Sequence, residues 1–195
     1  MSRRRRPRGP GRRRGFTLTE LLVTVAIIGV LATLGVTLLR ANPRPVDVAS
    51  QVSSRLAEVS RKAVAGGAVR ADVAAALGSK ARARAVFTVG TAAVTISVQR
   101  LEEAAAPSTT ASWVELSATT LHRAVVMPGY TAAADLTGGG TPATALASGA
   151  SFEVRCNPDG TCDGTTIYLQ TANQQRKARV VVLPLGGTPM TFDAW

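Results

Sequence analysis

Gly15-Phe16-Thr17-Leu18-Thr19-Glu20-Leu21-Leu22 opens an apolar run in which Glu20 is the only charge between Phe16 and Leu39. The stretch from Leu21 to Leu39 has nineteen residues and no charge. At about 1.5 Å per residue a helix over it spans roughly 28 Å, close to the ~30 Å hydrocarbon core of a bilayer. Gly29, Gly35 and the β-branched residues fit such a helix, because they are common in membrane spans. Upstream, residues 1–15 carry eight arginines and no acid, whereas only Arg40 and Arg44 follow the span closely. That asymmetry predicts a cytoplasmic N-terminus, with everything after residue 40 across the membrane.

Glu20 separates the readings of this front end. A plain signal anchor, a cleaved secretory signal and a twin-arginine export signal built on Arg13-Arg14-Gly15-Phe16-Thr17-Leu18 all tolerate the apolar run. The run is long for a cleaved signal, and no A-x-A-like site follows it. A carboxylate one turn into a membrane helix costs about 2.5–3.5 kcal/mol at the midplane and less near the interface. None of the three readings has a use for it. An acid placed there calls for a partner cation.

The charge balance sharpens once it is split. The chain has 195 residues, 23 Lys+Arg against 12 Asp+Glu, and a formal charge of +11. Eight of those cations precede Phe16, so residues 16–195 carry 15 basic and 12 acidic side chains, a balance of +3. The apparent nucleic-acid footprint is mostly an arginine tag. A hydrophobic content of 46% argues against wholesale disorder. One histidine and two cysteines cannot build a zinc cluster. The residues after 45 suffice for one domain with its own core.

The basic leader, Gly15, Phe16, the fifth-position acid Glu20 and the apolar helix together resemble the processing site of type IV prepilins and type II secretion pseudopilins. The resemblance implies cleavage between Gly15 and Phe16 by a prepilin peptidase, which also N-methylates the new Phe16 amine. It also gives Glu20 its cation, the Phe16 amine of a neighbouring subunit, in a pair that sets axial register as other buried polar groups do. Thr19 stands where an apolar residue is more usual, and the leader is longer and richer in arginine than many.

Beyond the span, Asn42-Pro43-Arg44-Pro45 interrupts the helix, because proline lacks an amide donor and biases its predecessor away from the helical region. Val48, Val52, Leu56, Val59 and Ala63 then recur at helical spacing and predict an amphipathic helix over 46–67, ended by Gly66-Gly67. Arg61 and Lys62 read as its solvated face. Asp72–Leu77 reads as a short helical turn or as extended chain. Strands are expected over 85–89 and 94–99 around a Gly90-Thr91 hairpin, and over 113–117, 120–127, 151–156, 165–171, 178–183 and 190–192. Residues 132–149, with Gly138-Gly139-Gly140, read as a flexible surface loop, since the Lys-Ser/Thr of a phosphate loop is missing.

Cys156 and Cys162 flank Asn157-Pro158-Asp159-Gly160, whose proline and glycine are strong turn chemistry. Strands leaving such a turn lie close together, so a Cys156–Cys162 disulfide is expected in an oxidising compartment, with a reactive thiol as the alternative. The run from Phe152 to Leu169 and the helix end over Ser53–Val69 are similar to the GspH/FimT group of pseudopilins.

Other chemistry is weak. His122 has no nucleophile motif beside it. Asn157, Asp159 and Asp163 offer oxygens to calcium, but EF-hand spacing is absent. Glu102-Glu103 read as solvated, and Trp113, Tyr130, Phe152, Tyr168 and Trp195 are too scattered for a stacking platform. The sequence therefore predicts an α+β, pilin-like chain: a basic leader over 1–15, a transmembrane and assembly helix over 16–40, its amphipathic continuation over 46–67, and an antiparallel β-sheet or β-sandwich head over 68–195. By resemblance it is a type II secretion minor pseudopilin of the GspH type. It would be an inner-membrane, single-pass precursor with a periplasmic head, later a pseudopilus subunit. Its partners would be prepilin peptidase and other pseudopilins. No catalysis, cofactor or metal is expected, and nucleic acid is not an expected partner. The alternatives are a FimT-like minor pilin of a type IV pilus or DNA-uptake machine, and an anchored nucleic-acid binder using Arg55, Arg61, Lys62, Arg82, Arg84, Arg176, Lys177 and Arg179.

Overall fold

The structure is a computed structural model that describes residues 17–40, 44–138 and 140–195, with side chains left aside at 34–40. The chain divides into two compact units, Met1–Asn42 and Pro43–Trp195. The leader over 1–15, Gly15 and Phe16 lie outside the described residues.

The first unit contains α1, Leu18–Arg40. Leu18, Leu21, Leu22, Val25, Ile28 and Leu31 are each at least 59% exposed, so α1 turns apolar side chains outward on every face. Such a helix is stable only where something other than water covers it. Among the described residues, no helix is long and apolar enough to cross a membrane, so the span over Leu21–Leu39 rests on the sequence alone.

The second unit is built on α2, Pro45–Ala65, whose first turn is opened by proline and closed at its far end by Gly66. Val48, Val52, Leu56, Val59 and Ala63, the predicted apolar stripe, are all buried. A short α3, Ala71–Leu77, follows and stops at Gly78, which takes the left-handed conformation (φ +62°). Of the two readings of 72–77, helix is the one adopted.

Among the described residues, nine strands then form two antiparallel sheets. They are β1 Ala83–Val89, β2 Val94–Glu103, β3 Ala111–Thr120, β4 Val125–Thr131, β5 Thr144–Ala145, β6 Ser151–Cys156, β7 Thr165–Thr171, β8 Lys177–Val182 and β9 Met190–Phe192. One sheet runs β3-β2-β1-β6 and the other β5-β4-β7-β8-β9. The architecture is α+β, consistent with a pilin-like head. Two expectations need correction. Thr120–Met127 is not one strand: His122–Val125 makes a turn, with the Val125 amide donating to the His122 carbonyl (3.0 Å), and there the chain changes sheets. Residues 132–149 are not free of order either, because they include β5 and a tied segment described below.

One core serves both sheets. It combines the α2 stripe with Ala85 and Phe87 of β1, Ile96 and Val98 of β2, Val154 of β6, Ile167 and Leu169 of β7, and Val180 and Val182 of β8. Phe152 joins the sheets directly, stacked on Phe87 at 4.6 Å and on Tyr130 at 4.3 Å between ring centroids. β7 and β8 are buried on both faces, which explains their near-continuous apolar reading.

Candidate functional site

Glu20 occupies the first turn of α1. Its Oε2 accepts hydrogen bonds from the Thr17 amide (2.9 Å) and the Thr17 hydroxyl (3.0 Å). In return, the Glu20 amide donates to the Thr17 hydroxyl at 3.3 Å. Thr17-Leu18-Thr19-Glu20 is thus a capping box, which satisfies amides that the first helical turn leaves unpaired. Threonine followed three residues later by glutamate is a sequence signal for it that the charge and hydropathy pattern does not carry. The arrangement places a carboxylate at the start of an uncovered apolar helix, next to the position where the chain is read as being cut. Chemically, it can accept a cation, and it has none among its contacts to the described residues.

Around these residues the comparison with known families is specific. Residues 10–36 match the prokaryotic N-terminal methylation motif. The motif supports a type IV pilin-like reading, pilin or pseudopilin, and implies processing by a prepilin peptidase and assembly with other pilins. No curated protein and no solved structure matches the chain.

In the second unit, Cys156 and Cys162 form a disulfide. The turn between them is also closed by hydrogen bonds from the Asn157 amide to the Thr161 carbonyl (2.7 Å) and from the Gly160 amide to the Asn157 carbonyl (3.0 Å). Gly160 has φ +87°, a conformation that favours glycine. Asp159 accepts from the Thr161 hydroxyl (2.6 Å) and amide (2.9 Å), which hold its carboxyl below the usual carboxylate range. Asp163 accepts from the Arg155 amide (3.1 Å). Two of the three residues considered for calcium, Asp159 and Asp163, thus already accept hydrogen bonds in or beside the turn. Among the described residues, no three His, Cys, Asp or Glu side chains converge as a metal site.

Four of the eight basic residues considered for nucleic acid, Arg55, Arg82, Arg84 and Arg179, have an acidic partner within the head. Arg55 pairs with Glu58 (2.8 Å), Arg84 with Glu153 (2.7 Å), and Arg82 with Glu103. Glu103 is thus no solvated carboxylate, as its side chain is only 13% exposed between Arg82 and Arg70. Arg84 also lies 4.3 Å over the ring of Trp113.

Arg179 is buried outright, at 3% exposure. Its Nη1 lies 3.7 Å from Asp135 Oδ2, and its guanidinium sits 4.5 Å over the Phe192 ring. Asp135 is held in turn by the Thr137 hydroxyl (2.6 Å) and amide (2.9 Å), which with Arg179 keep its carboxyl below the usual range. Gly138 (φ +89°) and Gly140 lie close over this group. A Cβ at Gly138 would meet Arg179 Nη2 at 3.1 Å, and one at Gly140 would meet Asp135 Oδ2 at 2.7 Å. Gly138 and Gly140 thus lie against the buried Arg179–Asp135 pair, where a larger side chain would not fit without a shift.

Proposed function

We propose that the chain is a minor pseudopilin of a type II secretion system, of the GspH/FimT kind, with residues 16–40 anchored in the inner membrane before assembly. The carrying observation is α1: an apolar helix exposed on all sides, with one carboxylate in its first turn, lying in the matched methylation motif. Water is a poor solvent for that surface, since each large apolar side chain left exposed forfeits about 1.5–3 kcal/mol of burial. A bilayer covers it first, and neighbouring α1 helices cover it afterwards. In either apolar setting Glu20 needs a cation, and the processed Phe16 amine of an adjacent subunit supplies one.

The function is assembly, and no reaction is catalysed. The leader arginines hold the N-terminus in the cytoplasm and leave with residues 1–15. The head is periplasmic, where its disulfide is chemically at home. The cysteine-flanked turn and the end of α2 support the GspH/FimT assignment within the pilin-like group.

Intact mass after co-expression with a prepilin peptidase tests the reading. The expected product lacks residues 1–15 and carries one added methyl on Phe16. Retention of residues 1–15 beside an active peptidase would overturn it. Cross-linking of the mature chain into a type IV pilus, and not into a pseudopilus, would move it to the minor-pilin alternative.

A further inference from the structure

We propose that a pocket at the start of α2 binds the phosphate of an anionic lipid headgroup. This rests on the reading of residues 16–40 as a membrane anchor. The pocket is a cavity of about 470 Å³ within the second unit, where three separate segments converge. Arg44 comes from the start of α2, Gln175, Arg176 and Lys177 from the β7–β8 connection, and Asp193 and Trp195 from the chain after β9.

Basic charge is concentrated there. Among the described residues, Arg55, Arg70, Arg82, Arg84, Arg100, Arg155 and Arg179 each have an acidic partner within 4 Å. Arg44, Arg61, Lys62, Lys80, Arg123, Arg176 and Lys177 have none, and of these Arg44, Arg176 and Lys177 line one cavity whose only acidic side chain is Asp193. Cations left unneutralised and gathered together form an anion receptor. Trp195 gives the site a fixed wall. Its indole Nε1 donates to the Leu169 carbonyl (3.2 Å), its ring packs edge-on to Tyr168 (5.1 Å), and Lys177 Nζ lies 4.0 Å over its face. Tryptophan beside basic side chains is the composition of a membrane–water interface.

Position selects the lipid among phosphate-bearing ligands. Arg44 follows Arg40, the last residue of α1, by four positions. On the anchor reading the chain leaves the bilayer there, so the first residues of α2 emerge among headgroups. A cavity of this size suits one phosphate with its glycerol and lacks the length of a nucleic-acid groove. The site would steady the head against the leaflet while the subunit waits for assembly.

The test uses the full chain in lipid nanodiscs, containing phosphatidylcholine alone or mixed with phosphatidylglycerol. Either lipid carries a nitroxide near its headgroup. Paramagnetic broadening of the Trp195 indole N–H signal is read against that of Trp113 on β3. The expected result is stronger broadening of Trp195 by the anionic label, by at least about fivefold, the worth of one cation at an anionic surface. The combined variant Arg44→Gln, Arg176→Gln, Lys177→Gln should bring the ratio of anionic to zwitterionic broadening close to one. Equal broadening by both lipids in the unaltered chain overturns the proposal and leaves the anchor reading standing. Failure of the chain to enter nanodiscs overturns the anchor reading and this proposal with it. A Trp195 shift caused by inorganic phosphate or a single-stranded oligonucleotide, without any lipid preference, assigns the pocket to that ligand and overturns the lipid.

Discussion

Thr17 and Glu20 cap each other at the start of α1, with the Thr17 amide 2.9 Å from the Glu20 carboxylate and the Glu20 amide 3.3 Å from the Thr17 hydroxyl. The carboxylate that the assembled filament is proposed to use is therefore already engaged in the single subunit. On that proposal, assembly exchanges two hydrogen bonds within one chain for an ion pair between two.

That exchange separates two substitutions. Thr17→Ala should fray the first turn of α1 by about 1 kcal/mol, the usual worth of an N-cap, and leave assembly intact. Glu20→Gln keeps a partner for Thr17 but removes the charge, so it should leave processing intact and abolish subunit cross-linking. Amide exchange over residues 17–21 in micelles reads the first effect, and cysteine cross-linking between α1 helices reads the second. Assembly of the Glu20→Gln chain at the normal level would count against an intersubunit ion pair.

Leu56 lies in the buried stripe of α2, within the core common to both sheets. Leu56→Ala should cost about 2–5 kcal/mol, as large-to-small core substitutions do. Arg61→Ala, on the exposed face of the same helix, should stay within about 0.5 kcal/mol. Chemical denaturation of the two variants gives the contrast directly.

Asp135 and Arg179 predict a pH dependence of definite sign. The Asp135 carboxyl titrates below its ordinary range in the folded protein. Its contribution to stability is therefore complete above the unfolded carboxylate pKa and is lost as pH falls through the lowered folded value. Asp135→Asn should accordingly destabilise the head at neutral pH and make little difference at the acid end. The denaturation midpoints of the two proteins should converge as pH drops. Arg179→Met added to Asp135→Asn should recover stability, because the variant acid otherwise leaves a buried guanidinium without its counter-charge.

Replacing Cys156 and Cys162 together by serine should cost about 2 kcal/mol, the loop-closure entropy of a short cross-link. Because the Asn157–Gly160 turn retains its own hydrogen bonds, the reduced head should still fold. Thermal melts with and without reductant check both statements.

Much of this was legible in the residues. The motif around Gly15, Phe16 and Glu20 is local, so a short window contains it whole. The α2 stripe and strands β6, β7 and β9 follow from periodicity and turn residues. What escaped depends on distant partners. The break at His122 comes from the chain changing sheets, and nothing between Thr120 and Met127 marks it locally. The order in 132–142 comes from Arg179 and Thr166, which lie far along the chain and hold Asp135 through its carboxylate (3.7 Å) and its amide (2.8 Å). Arg179 itself reads as a surface cation, because its strand neighbours do not reveal that glycines will close over it. The pocket at Arg44 and Trp195 joins segments roughly 150 residues apart, beyond the range of any motif.

The placement of α2 has a mechanical consequence. It touches β1, β2 and β6 of one sheet and β7, β8 and β9 of the other, and the Ser53 hydroxyl is tied to the Pro189 carbonyl at 2.9 Å. A pull delivered along the chain from the N-terminal helix enters the head through this one element and is shared at once between both sheets. Neither sheet can be peeled away before the helix lifts from the other. The head should therefore yield to traction as a single body, as the proposed withdrawal of a subunit from the membrane would require.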